Sequence, residues 1–140
     1  MEGMMRRGLL LIAFLLAACG KQPADRTQPE AAPVVCADLV KGCRVGQVTV
    51  QTDLPPTAMQ QFSLLVDAPG ATEVHADLNM VEMDMGPNRY RLLPQNGRFV
   101  AAVTLPMCVS GRAEWLLTLE VDGKPLKLQF ATQGKRSQPH

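Results

Sequence analysis

Soft sulfur donors crowd one short stretch of this chain. Residues 79–88 read NMVEMDMGPN and place Met80, Met83 and Met85 within six residues. Thioethers are neutral, polarisable ligands that suit Cu(I) better than hard cations. They carry no proton at ordinary pH, so their binding does not fade in acid as that of imidazole does. On a strand, Met83 and Met85 point to one side and Met80 to the other unless a bulge intervenes. The pair then needs a third soft group: His75, Met107, Cys108 or Met59. Pro106 ends the pairing of any strand before it, so Met107 and Cys108 begin a loop that can lie at the same end. Packing is the competing reading. Methionine fills irregular core gaps, and Glu82 and Asp84 alternate with Met83 and Met85 as on an ordinary half-buried strand.

Other chemistry finds little support. His75 and His140 are the only histidines, and no nucleophile motif surrounds either. Asp77, Glu82 and Asp84 lack the spacing of a calcium loop. There is no Cys-x-x-Cys for disulfide exchange, no glycine-rich phosphate loop or dinucleotide fingerprint, and no basic patch interleaved with aromatics for nucleic acid. The expectation is a protein that is not an enzyme and does not bind nucleic acid.

The positioning elements are strands. Apolar residues alternate with polar ones in seven runs, 45–51, 61–67, 73–80, 88–93, 97–105, 113–121 and 124–131. In the third run Val74, Ala76, Leu78 and Met80 share one face, and His75, Asp77 and Asn79 share the other. Turn signals separate the runs, among them Ala68-Pro69-Gly70, Gly86-Pro87-Asn88 and Asn96-Gly97. Asp122-Gly123, between two strongly alternating runs, is the best hairpin signal. Seven short strands with one apolar face each predict an all-β, Ig-like two-sheet sandwich over residues 36–132. The segment CADLVKGC, residues 36–43, is expected to add one helical turn.

The N-terminus reads MEGMMRRGLLLIAFLLAACGK. Arg6 and Arg7 precede an apolar run, Leu9 to Ala18, that is too short to span a bilayer and fits a signal peptide. Leu16-Ala17-Ala18-Cys19 resembles the bacterial lipobox. The resemblance implies cleavage after residue 18, a lipid on Cys19, and anchorage to a membrane by acyl chains. Gly20, rather than an aspartate, implies the outer membrane, facing the periplasm. Residues 19–35 then read as a lipidated cysteine and a flexible proline-containing linker, and residues 133–140 as a disordered tail. The mature chain of 122 residues holds one domain of about 100 residues. Its twelve Lys/Arg balance twelve Asp/Glu, and a monomer is expected.

With Cys19 lipidated, Cys36, Cys43 and Cys108 remain in an oxidising compartment. Three thiols allow one bond. Cys36–Cys43 closes a short loop and is the favoured pairing; the alternative ties one of the two to Cys108. A thiol left over at Cys108 is either buried and inert or functional.

The stretches VHADLNMVEMDMGPNRYRL and GRFVAAVTLPMCVSGRAEWLLTLEV resemble small periplasmic proteins of the YtkA-like and FixH-like kind. That resemblance covers roughly residues 45 to 131. It implies an Ig-like sandwich with a methionine-rich strand end tied to copper handling or oxidase assembly. A second periplasmic or membrane protein is the partner it implies. The chain departs from the spacing of His and Met in the better-known periplasmic Cu(I) chaperones. The expected function is Cu(I) handling through Met83 and Met85 with Met107, Cys108 or His75. The alternative is a structural or protein-interaction lipoprotein of the cell envelope without metal.

Overall fold

A computed structural model describes residues 31–107 and 113–132. Signal peptide, Cys19, most of the linker, Cys108 and the tail with His140 lie outside the described residues. The described chain is all-β, as expected. Its nine strands are β1 (Val34–Cys36), β2 (Cys43–Val45), β3 (Val48–Thr52), β4 (Gln61–Asp67), β5 (Val74–Met80), β6 (Arg89–Gln95), β7 (Arg98–Thr104), β8 (Glu114–Val121) and β9 (Lys124–Ala131).

Alternation translates directly into burial. In β5, Val74, Ala76, Leu78 and Met80 are buried, while His75, Asp77 and Asn79 between them are half-exposed. β3, β4 and β8 follow the same period. The fully enclosed side chains include Trp115, Leu117 and Leu119 of β8, Leu128 of β9, Val50 of β3 and Val103 of β7.

Nine strands replace the expected seven for two local reasons. The first run is not one strand. Gly46, at φ 61°, turns the chain between Val45 and Val48, which pair with each other. Glycine at the first central position suits a two-residue hairpin. β1 was hidden because three residues are too few to show a period; Val34 and Val35, expected in the linker, pair in parallel with Leu128 and Gln129 of β9. Residues 39–41 form a hydrogen-bonded turn rather than a helical one. Both Asp122-Gly123 and Asn96-Gly97 have positive φ at both positions, which is the type I′ geometry that their residue types favour.

Hydrogen bonding draws one sheet, in the order β1-β9-β8-β5-β6-β7-β4-β3-β2, instead of two separate sheets of seven strands in all. β6 is the reason. Its first half, Arg89–Leu92, pairs with β5, and Leu93–Gln95 pairs with β7. The strand order therefore ends in two edges, β1 and β2. A disulfide joins those edges: Cys36, the last residue of β1, is bonded to Cys43, the first of β2. Their Cα atoms are 5.9 Å apart, and a loop this short is worth about 2–3 kcal/mol on the chain-entropy account.

At the end of the domain holding the Asp-Gly turn, Asp122 accepts hydrogen bonds from Thr72 N, Thr72 Oγ1 and Glu73 N. These contacts tie the β8–β9 turn to the connection before β5. They hold the Asp122 carboxyl below its ordinary 3.8, led by the Thr72 hydroxyl. A carboxyl with a depressed folded pKa stabilises above its unfolded pKa and loses that effect as pH falls through the folded value. Asp122→Asn keeps a residue that tolerates positive φ and removes the charge. It is expected to lower the urea midpoint at pH 7, with the gap from wild type closing as pH drops below about 3.8. A gap that persists undiminished in acid contradicts this role.

A methionine-rich end as candidate metal centre

Antiparallel register fixes which loops share an end. Gln61 faces Thr104, so β4 begins where β7 ends. Met80 faces Trp115, so β5 ends where β8 begins. Asp77 faces Arg89, and Leu78 N donates to Asn88 O, so β6 begins there as well. Segments 53–60, 81–88 and 105–107 therefore gather at one end of the sheet, and they carry Met59, Met83, Met85 and Met107. Tyr90 Oη donates to Thr104 O at 3.2 Å and spans from the start of β6 to the end of β7.

Met80 belongs to the core, at 3 % exposure opposite Trp115. Met83 and Met85 do not continue its strand. Met83 N donates to Met80 O, closing a turn with Glu82 at φ 63°. Positive φ at that position is the type II arrangement, unusual for a residue other than Gly or Asn. Asp84 Oδ1 then accepts from Gly86 N at 2.9 Å, and Gly86 itself has φ 76°. The strand argument that set Met83 and Met85 on one side thus gives way to loop geometry. Met83 is exposed, while Met85 is partly buried and packs against the core.

Met59 enters by a different route. Its N–H donates to Leu105 O at 2.8 Å, which brings it beside the segment holding Met107. Its φ is 63°. Among the described residues four non-glycine positions have positive φ; two are the Asn and Asp of type I′ turns, and the others are Met59 and Glu82. Met59 and Glu82, whose residue types do not favour positive φ, are the third residues of hydrogen-bonded turns 57–60 and 80–83, both at the methionine end. Backbone held in sparsely populated conformations concentrates at functional sites. Met59 and Met107 are 65 % and 62 % exposed, so their sulfurs are not committed to core packing.

The sequence-predicted ligands divide. Met83, Met85 and Met107 come to one end. His75 does not: it lies at the far end of β5, between Arg91 and Glu120 of the neighbouring strands, with Nε2 3.5 Å from Glu73 Oε1. Five residues of strand, about 16 Å, separate it from Met80. Alternation reports faces and says nothing of ends, so the sequence does not place His75 relative to the methionines. Cys108 lies outside the described residues. Cys36 and Cys43 are consumed by their mutual bond and offer no thiolate. Met59 had only a spacing-blind signal in sequence, since nothing local marks its approach to Leu105.

Donor chemistry at this end is narrow. Among the described residues no set of three His, Cys, Asp or Glu side chains comes together to hold a metal. Asp53 is occupied, accepting from Ser63 N at 2.6 Å, and that backbone bond holds its carboxyl below the ordinary 3.8. Arg89 bridges Asp77 and Glu120 on the polar face of the strands, at 3.0 and 3.1 Å, so these two carboxylates are already paired. What the end offers is thioether sulfur, on residues of which Met59, Met83 and Met107 are exposed. Removing the Tyr90 hydroxyl in Tyr90→Phe deletes one tie across this end. It is expected to cost about 0.5–1.5 kcal/mol in denaturant unfolding, the usual worth of one hydrogen bond; an unchanged midpoint denies the tie any role. Comparison with protein-family models, curated proteins and solved structures returned no match.

Proposed function

We propose that the protein is a lipid-anchored, non-enzymatic lipoprotein of the cell envelope that handles Cu(I) at its methionine-rich end. The observation that carries the reading is that Met59, Met83, Met85 and Met107 all lie on three loops at one end of the sheet. Thioethers that are exposed or partly exposed, with no cluster of three His, Cys, Asp or Glu among the described residues, favour a soft monovalent ion. The ligand set proposed is Met83, Met85 and Met107, with Met59 in the place first given to His75 and with Cys108 as a further soft donor. Acyl chains on Cys19 anchor the domain at the outer membrane facing the periplasm. An exposed thioether site suits passing the ion to a periplasmic or membrane partner. In this reading the sheet that bends at β6 is an Ig-type sandwich, related to the YtkA-like and FixH-like proteins.

A second reading rests on the same exposure. Leu54, Met59, Met83 and Met107 together present an apolar end, and flexible methionine surfaces also serve protein recognition. Cu(I) titration of the purified full chain against a chromophoric chelator separates the two. Under the copper reading Met83→Ile/Met85→Ile and Met59→Ile/Met107→Ile each weaken binding by at least about tenfold, or 1.4 kcal/mol. His75→Gln leaves the affinity unchanged, and in a Cys108→Ser background the affinity stays level from pH 7 to about 5 because thioethers, unlike a thiol, do not titrate. Failure of the wild type to compete for Cu(I) removes the copper reading and leaves the interaction module.

The anchor is tested separately. Cells fed labelled palmitate are expected to label the wild type and not Cys19→Ala. Equal labelling of both removes the lipid anchor without touching the metal question.

A further inference from the structure

The two edges of the sheet meet at one covalent bond, with one of its cysteines buried and the other partly exposed. β1 and β2 stand at opposite ends of the strand order, each three residues long and each paired on one side only, with β9 and with β3. No strand pairing joins β1 to β2 directly. What joins them is Cys36–Cys43 and the turn between, held by Asp38 Oδ1 accepting from Val40 N and by Leu39 O accepting from Gly42 N and Thr52 N. Cys36 is buried, whereas Cys43 is half-buried. Beside the bond lies a groove of about 290 Å³ lined by Cys36, Asp38, Leu39, Pro55, Pro56 and Phe130. The bond thus runs from the edge of the buried core, where Cys36 lies, to the partly exposed Cys43 that packs against it.

We propose that Cys36–Cys43 is a reducible latch whose opening by a dithiol reductant releases β1 and the 37–42 turn while β3 to β9 stay folded. The exchange balances without further reactants. A thiolate of the dithiol attacks the Sγ of Cys43, the less buried of the two residues; the S–S bond breaks and Cys36 Sγ leaves as thiolate and takes a proton. The second thiol of the reductant then attacks its own sulfur in the mixed disulfide, freeing Cys43 as thiol. Two electrons and two protons pass to the protein, and the reductant leaves as its intramolecular disulfide. The asymmetry of the consequence follows from pairing. β1 keeps only three parallel partners on β9, whereas β5 pairs with β8 along seven residues and with β6 along four, and β8 pairs with β9 along eight. Short edge elements with few buried apolar contacts open at far lower free energy than central strands. Once β1 swings away, Leu39 and Phe130 lose their cover and the groove becomes an open face, and residues 34–42 join the chain leading into the domain.

Hydrogen exchange on the full chain tests the latch in three states: oxidised, reduced by dithiothreitol and alkylated, and Cys36→Ser/Cys43→Ser. The reduced protein and the double variant are expected to exchange at 34–36 about tenfold or more faster than the oxidised protein, with β5 and β8 changed less than about threefold. Unchanged exchange at 34–36 in both overturns the proposal, because the edge then holds without the bond. Equal loss of protection in β5 and β8 also overturns it, because the bond is then part of global stability. Resistance of the bond to millimolar dithiothreitol under native conditions overturns it on access.

Discussion

Everything in this domain turns on the crossing of β6 from one ladder to the other. Between Leu92, opposite Val74, and Leu93, opposite Val100, the strand leaves β5 and takes up β7. Without that step the strand set would be two stacks with no shared hydrogen bonds; with it, a single sheet bends round and encloses one core. Leu92 points inward and is buried, and its neighbour Leu93 is exposed at the bend. Pro94 fits here because it lacks a donor, and the side of β6 left behind by β5 needs none.

The bend has a consequence at each end. Tight Asn-Gly and Asp-Gly hairpins close one end, and Asp122 ties it to the chain before β5. The opposite end carries the longer connections, and these hold the four methionines among the described residues that are not buried. At that end β6 and β7 have already parted, so the Tyr90 hydroxyl reaching Thr104 O spans what strand pairing no longer does. The methionine end is therefore the less tightly paired end of the fold, where side chains keep freedom to gather around a ligand or a partner. The latch between β1 and β2 borders the same end, since β1 finishes and β2 starts there.

Charge plays a smaller part. Arg89 spans Asp77 and Glu120 across three strands, but all three groups are solvated, and exposed pairs of this kind contribute little to stability. Their role is to mark the outward face of β5, β6 and β8, the face on which His75 also lies. A histidine among arginine and carboxylates on a solvated strand face has many partners and no reason to serve a site at the end of the sheet.

The strands β3 to β9, their inward residues and the Asp-Gly and Asn-Gly turns were legible in the sequence, because period-two burial and positive-φ turns are local properties written in neighbouring residues. Met80 as a core residue followed from the same alternation. Three features were decided only by tertiary structure. Met83 and Met85 left the strand because Glu82 adopts a left-handed conformation that its residue type does not announce. Met59 joined them and His75 did not, because shared ends depend on register and loop direction, which pair residues tens of positions apart. The edges β1 and β2 formed because a disulfide and a parallel partner, both long-range or closed by covalent chemistry, hold segments too short to signal themselves.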